Sequence, residues 1–460
     1  MKEYDICVVG AGSAGLVAAS AANRAGARTA LIERDLFGGE CLHSGCIPSK
    51  TFLHSANLYY TMKHAGQYGL PACHAGTPDL GEVMGHVRRV IDSITQYENA
   101  ETYKKLGIDV YSGKNHFVSK NILSVNGTEL FSKYFIICTG SSALVPPIDG
   151  LEDIPYLTNK NFWDQETLPK RTLILGAGPI GIELGQALQR LGSEVTITMR
   201  SDRILQKEDP AIAEEMKKIL QDDGVHFLDN SSVLGFKREN SGITARYARN
   251  GTEQELVVDA VVVATGRKPN TEDLLLENAG VEYSKNGIIV NDELMTTADN
   301  IYACGDVIGK YLFTQAASFY AGVAVHNIVH EEKKTISDSV MPWVIFTSPE
   351  LAHVGFNEEE AREKFGDIHV LLLDTVFGRL RTENSTKVFL KIILTGDDRI
   401  VGAHALGTGS GEYIQDLTMA IQDHIPVKQI AETIFPYPTF SEIVKKVFSR
   451  YLRTKHALTP

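Results

Sequence analysis

The sequence predicts an α/β protein with two Rossmann-like dinucleotide-binding units followed by an α+β module at its C-terminal end. Two observations carry the prediction. Residues 4–33 and 171–200 share one pattern: an apolar, β-rich run, a glycine turn, a small-residue helix and a second strand. After residue 340 no further glycine fingerprint occurs, and strand-like runs at 388–394 and 400–405 alternate with helical stretches at 358–364 and 411–423. A chain of 460 residues also exceeds what one hydrophobic core serves, so about three domains are expected.

In the first unit, Gly10 permits the tight turn after the strand, Gly12 lets the backbone approach a pyrophosphate, and Gly15 allows the helix to pack closely on the strand. Gly176, Gly178 and Gly181 repeat this assignment in the second unit. A glycine-rich turn alone occurs in many loops. Here each one follows a strand and opens a helix, which is the context that gives it meaning.

Between the two units lies GGECLHSGCIPSK, residues 38–50, in which four residues separate Cys41 from Cys46. Two cysteines at a helix start can close a small disulfide ring, and their thiolates gain from the field of the helix N-terminus. A zinc centre would need two further soft ligands at metal spacing. Cys7, Cys73, Cys138 and Cys304 offer no second Cys-x-x-Cys, so no metal ligands are assigned. The remaining alternative is two unrelated buried cysteines. Cys7 and Cys138 fall in apolar runs and read as small core residues, while Cys73 reads as exposed. His43, between the paired cysteines, is a candidate for tuning their thiolates.

Bulk properties narrow the function classes. A net charge of -12 and a pI near 5.7 argue against a nucleic-acid or anionic-membrane partner, which would need a concentrated basic surface. No apolar run approaches the roughly 20 residues of a membrane span. Strand-like sequence begins at Tyr4, which leaves no room for a cleaved leader, so a cytoplasmic location is expected. Six cysteines are too few for a disulfide scaffold, and in a reducing compartment any disulfide should be catalytic.

With these motifs in place, the sequence resembles the flavoprotein disulfide reductases, or class I pyridine nucleotide-disulfide oxidoreductases. This is the family of glutathione reductase, dihydrolipoyl dehydrogenase and mercuric reductase. Beyond the cysteine segment, IYACGDV (301–307) resembles its second FAD motif. ICTGS (137–141) and VATGRKPN (263–270) resemble its two chain-crossing segments, and MPWVIFTSPELAHVGF (341–356) the opening of its interface domain. The resemblance implies FAD on residues 1–148 and 271–338, NAD(P) on 149–270, and a dimerisation domain over 339–460 of a homodimer. It places Glu33 on the adenosine ribose of FAD, Asp306 on the ribityl chain, and Gly10, Gly12, Gly15, Thr139 and Gly140 elsewhere around FAD. Gly176, Gly178, Gly181 and Gly266 fall to the nicotinamide dinucleotide. Cys46 becomes the flavin-facing thiolate and Cys41 the outer sulfur, with Lys50 near the flavin ring and paired with Glu183; a solvated surface pair is the plain alternative. Cys304, beside Asp306, needs only to be small. Electrons then run from NAD(P)H through FAD to a Cys41–Cys46 redox disulfide, and on to substrate.

Which nicotinamide and which acceptor turn on two departures. Met199 stands where an acidic residue would bind the ribose hydroxyls of NAD, and Arg200 and Arg203 follow, whose guanidinium groups suit a 2′-phosphate. NADPH is therefore expected over NADH. In IFPYPTFSEIVKK (434–446) the glutamate that orients the family's proton-shuttling histidine survives as Glu442, but Tyr437 replaces the histidine. A phenol titrating near 10 is a poor base at neutral pH. The tyrosine resembles mercuric reductase, although no cysteine follows Cys304 in this sequence to hand over a metal ion and no cysteine-bearing N-terminal metal-binding domain is expected. The expected acceptor is a thiophilic metal ion such as Hg(II), or a small disulfide. Dihydrolipoyl dehydrogenase, a glutathione-reductase-type enzyme and a redox-sensing flavoprotein with little turnover are the alternatives.

Overall fold

The computed structural model describes residues 2–73, 76–336, 340–383 and 388–458. Lys2–Val9 is a strand whose last four residues are all buried, the pattern of a parallel strand covered on both faces. It lies between Thr29–Glu33 and Thr128–Ile137, both parallel to it, with Val9 opposite Ile32 and Ile137. Asp109–Ser112 extends this sheet past Thr29–Glu33, and the antiparallel strands Asn115–Ser119 and Ile122–Val125 extend it on the other side. Ile301–Ala303 joins Thr128–Ile137 in parallel, so the first sheet recruits a strand from beyond the second glycine unit.

The second sheet is parallel in the order His226–Leu228, Glu194–Thr198, Arg171–Leu175, Ala260–Val263. A three-stranded antiparallel sheet, Ser231–Glu239, Gly242–Arg249 and Thr252–Val258, packs beside it. The two segments expected to cross between the units form strands Ser141–Ala143 and Arg267–Pro269, which pair antiparallel with Arg267 opposite Ala143.

Both glycine turns are built as their residue types require. Gly10 and Gly176 take φ of +105° and +108°, a backbone region that side chains disfavour. A Cβ on Gly15 would fall 1.7 Å from the Gly10 carbonyl oxygen, and one on Gly181 would fall 2.0 Å from that of Gly176. Only glycine lets the helices Ser13–Arg24 and Pro179–Leu191 sit this close to their strands.

The C-terminal module is a five-stranded antiparallel sheet, ordered Trp343–Ile345, Glu350–Gly355, Ile400–Gly407, Val388–Thr395, Ile368–Thr375. The helices Ser410–Gln422 and Glu442–Leu458 pack against it. Val388–Thr395 and Ile400–Gly407 are buried at every position, so Lys391 and His404 are carried into the interior along with their apolar neighbours.

The two cysteines do not share one helix start. Cys41 lies in the short helix Gly39–His43, and Cys46 opens the long helix Cys46–Lys63. Gly45 makes the break, its position so tight that a Cβ there would meet the Glu40 carbonyl oxygen at 2.9 Å.

Candidate active site

One cleft of about 1840 Å³ runs past both glycine turns, the crossing segments and the cysteine pair. A smaller cavity of about 440 Å³ lies at His226–Leu228 and touches none of these. In the large cleft the helices Ser13–Arg24 and Pro179–Leu191 begin at Gly12 and Gly178 with no side-chain cap. Their first N–H groups are free to bind phosphate, and a Cβ on Gly178 would meet nothing within 4 Å. The residues present therefore fit two dinucleotides.

Around the first turn, Glu33 accepts hydrogen bonds from the backbone N–H of Ala11 and Asp35, each at 2.6 Å, which fixes its carboxylate at the cleft wall. Asp306 accepts from the Ser141 hydroxyl at 2.5 Å and from Arg267 Nε at 3.3 Å. Arg267 also pairs with Glu40, and its side chain is only 16% exposed, so burial lowers its pKa from the usual guanidinium value while Asp306 opposes that. Nothing in the local sequence around Arg267 marks it for this role, because its partners Glu40, Ser141 and Asp306 come from three separate parts of the chain. Thr139 donates to the Asn270 carbonyl at 2.7 Å, tying the two crossing segments together. Gly140 and Gly266 turn with φ of +71° and +138°.

The cysteine pair sits in the same cleft as two half-buried thiols. The Thr314 hydroxyl lies 3.2 Å from Cys46 Sγ and 3.3 Å from Cys41 Sγ, bridging both. The Cys41 thiol is pulled down to about 6, chiefly by its hydrogen bond with Cys46, with Thr314 and Ser13 adding to this against burial. Cys46 is pushed up by the same bond and by burial. In this dithiol the shared bond favours the thiolate at Cys41 and the thiol at Cys46.

Lys50 follows Cys46 by one helical turn, and its Nζ lies 2.9 Å from Glu183 Oε2 and 4.6 Å from the centre of the Phe346 ring. The Glu183 side chain is 6% exposed, and its other oxygen accepts from Phe346 N–H at 2.8 Å. This is no solvated surface pair: it locks the cysteine helix to the second unit and to the C-terminal module. His43 Nε2 lies 2.7 Å from the Phe37 carbonyl oxygen, which anchors the turn.

At the second unit Arg200 is exposed on the cleft wall, while Arg203 donates to the Gln206 carbonyl of its own loop at 2.8 Å. Met199 is buried in the core. Tyr437 is 75% exposed and outside the cleft, so one chain does not bring it to its own cysteines. Its hydroxyl lies over Gly378, where an added Cβ would approach it to 3.2 Å. Glu442 pairs with Lys446 at 2.9 Å, and its second oxygen is buried with no hydrogen-bond partner among the described residues.

The pyridine nucleotide-disulphide oxidoreductase family matches residues 4–321, and its dimerisation domain matches residues 341–448. A mercuric reductase of Staphylococcus aureus is 33% identical over 446 residues, spanning 96% of this chain and 81% of its own. A dihydrolipoyl dehydrogenase of Thermus scotoductus is 33% identical over 455 residues, spanning 96% of each. Among solved structures, the Cu(II) complex of the HOCl-induced flavoprotein disulfide reductase RclA from Escherichia coli has a TM-score of 0.86 and 31% identity, spanning 98% of this chain and 100% of that one. No helix among the described residues is long and apolar enough to cross a membrane. The chain belongs to the pyridine nucleotide-disulphide oxidoreductase family, flavoprotein enzymes that use FAD and NAD(P)H and act on disulfides or metal ions.

Proposed function

We propose that this chain takes reducing equivalents from NADPH and delivers them, through FAD and the Cys41–Cys46 pair, to a thiophilic metal ion. Tyr437 carries the proposal. A phenol in place of a histidine moves protons poorly at neutral pH, which disfavours thiol–disulfide turnover, whereas a metal ion accepts electrons without being protonated. Two relatives favour the same acceptor class, one named a mercuric reductase and one solved as a Cu(II) complex.

FAD supplies the coupling between a two-electron hydride donor and the sulfur pair. In this reading the turns at Gly12 and Gly178 bind the two pyrophosphates, Glu33 and Asp306 hold the FAD ribose and ribityl groups, and Arg200 takes the 2′-phosphate of NADPH. Residues 1–148 with 271–338 form the FAD domain, 149–270 the nicotinamide domain and 339–460 the dimer interface. Two electrons and two protons open the Cys41–Cys46 disulfide to a dithiol, with Cys46 on the flavin side. Thr314 spans the two sulfurs, Cys41 meets the metal ion, and transfer of two electrons, to one Hg(II) ion or to two Cu(II) ions in turn, reforms the disulfide and releases both protons. Tyr437 and Glu442 act on the partner copy's pair, in keeping with a dimerisation domain.

The test is stopped-flow reduction by NADPH and by NADH, followed by steady-state turnover with Hg(II), Cu(II), glutathione disulfide and lipoamide. Faster flavin reduction with NADPH, and metal-ion turnover above both disulfides, is expected. Equal or better efficiency with NADH reverses the nicotinamide assignment. Rapid NAD-linked lipoamide chemistry makes the chain a dihydrolipoyl dehydrogenase, and negligible NAD(P)H consumption with every acceptor makes it a redox sensor.

A further inference from the structure

A second constellation of ligating side chains lies apart from the cysteines. Glu208 precedes the helix Pro210–Asp222 of the second unit, while His353 and His404 stand directly opposite each other on neighbouring strands of the C-terminal sheet. The three side chains are 3%, 1% and 0% exposed. Glu208 Oε2 lies 3.0 Å from His353 Nδ1 and 3.3 Å from His404 Nδ1. These separations approach the roughly 3.3 Å between neighbouring ligands on a tetrahedral ion with bonds of about 2.0–2.1 Å.

Hydrogen bonds fix each side chain of the cluster in place. Glu208 Oε1 is satisfied by Trp343 Nε1–H, and the Trp343 ring stacks on His353 at 3.5 Å, holding both in place. His353 Nε2 faces the Gly355 carbonyl at 2.8 Å; a carbonyl only accepts, so this nitrogen carries hydrogen. A neutral His353 therefore turns the lone pair of Nδ1 toward a carboxylate oxygen, an arrangement that repels unless a positive charge lies between them. A backbone carbonyl on the far nitrogen is also how metal-binding histidines are commonly oriented. His404 Nε2 is buried with no hydrogen-bond partner among the described residues. The nearby buried cation Lys391 is committed to Asp209 at 2.6 Å and Glu358 at 2.7 Å. No lysine or arginine pairs with Glu208 among the described residues.

We propose that Glu208, His353 and His404 form a site for one borderline divalent cation, Zn(II) by its two-nitrogen, one-oxygen donor set, which cross-links the second unit to the C-terminal sheet. The ion takes the place of a proton between His353 and Glu208, so binding releases that proton to solvent. Its location is distinct from the Cys41–Cys46 pair, and the proposal does not depend on which acceptor the enzyme uses.

The experiment uses the FAD-loaded full chain carrying Cys41→Ser and Cys46→Ser, so that the redox thiols cannot compete for metal. Equilibrium dialysis against Zn(II) with elemental analysis is expected to give one more zinc per chain than the same protein with His353→Gln or His404→Gln. Replacing zinc by Co(II) is expected to give the strong visible d–d bands of a tetrahedral site, and added zinc to raise the thermal midpoint only while both histidines are present. Equal zinc content with and without the histidines overturns the proposal. Should the glutamine variants fail to fold, the histidine-containing protein decides alone: weak octahedral cobalt bands and an unmoved thermal midpoint overturn it.

Discussion

At the scale of single residues, the chemistry rests on the hydrogen-bonded sulfur pair. Thr314 touches both sulfurs, and the Cys41 thiol titrates near 6 instead of in the ordinary thiol range. Because the folded pKa is depressed, the thiolate is present above about pH 6 and is lost as pH falls through it. Alkylation of the NADPH-reduced enzyme should hold a plateau through neutral pH and fall off below that point. In Thr314→Val the fall-off should move to higher pH; an unshifted profile would deny the hydroxyl a role in the ionisation. Arg200 offers a second residue-scale test. It stands exposed at the cleft wall, so Arg200→Glu should raise KM for NADPH by about 10–100-fold, the worth of one or two charge-assisted hydrogen bonds, and leave KM for NADH within a few-fold.

At the scale of elements, the glycine turns set how tightly each helix is pressed onto its strand. A methyl group on Gly181 would have to occupy the space of the Gly176 carbonyl oxygen, so Gly181→Ala should cost about 1–3 kcal/mol, the usual penalty for overpacking. Calorimetry should show a lowered thermal midpoint. Binding of the nicotinamide dinucleotide should weaken as well, since the displaced helix N-terminus is the phosphate site; unchanged stability would refute the packing argument. These turns were legible in the sequence because everything that defines them lies within a few consecutive residues. Thr314 was not. It opens a helix 268 residues from Cys46, and nothing in its neighbourhood marks it as a partner of sulfur.

At the scale of the whole molecule, Tyr437 is exposed away from its own cleft while the family's dimerisation domain covers the segment that carries it. If Tyr437 serves the partner copy's cysteines, a mixture of Cys41→Ser and Tyr437→Phe chains should regain turnover that neither has alone, because half of the mixed dimers' sites are intact. The comparison is made after unfolding and refolding the chains together and separately. No gain on mixing would place both residues in one chain's site or remove Tyr437 from the reaction. Stability at this scale also depends on the bridge of Lys50, the buried Glu183 carboxylate and the Phe346 backbone, which joins three parts of the chain.

The sequence by itself determined the two dinucleotide units, the cysteine pair, the run of alternating elements after residue 340 and the pairing of Lys50 with Glu183. The first three are written in local spacing, where turn geometry and burial act on adjacent residues, and the last came with the family pattern. Tertiary structure alone decided that Arg267 clamps Asp306 to Glu40, that Thr314 bridges the sulfurs, and that Glu208 meets His353 and His404 in the interior. Each of these joins side chains from distant segments, and only the folded sheets bring their atoms within bonding distance.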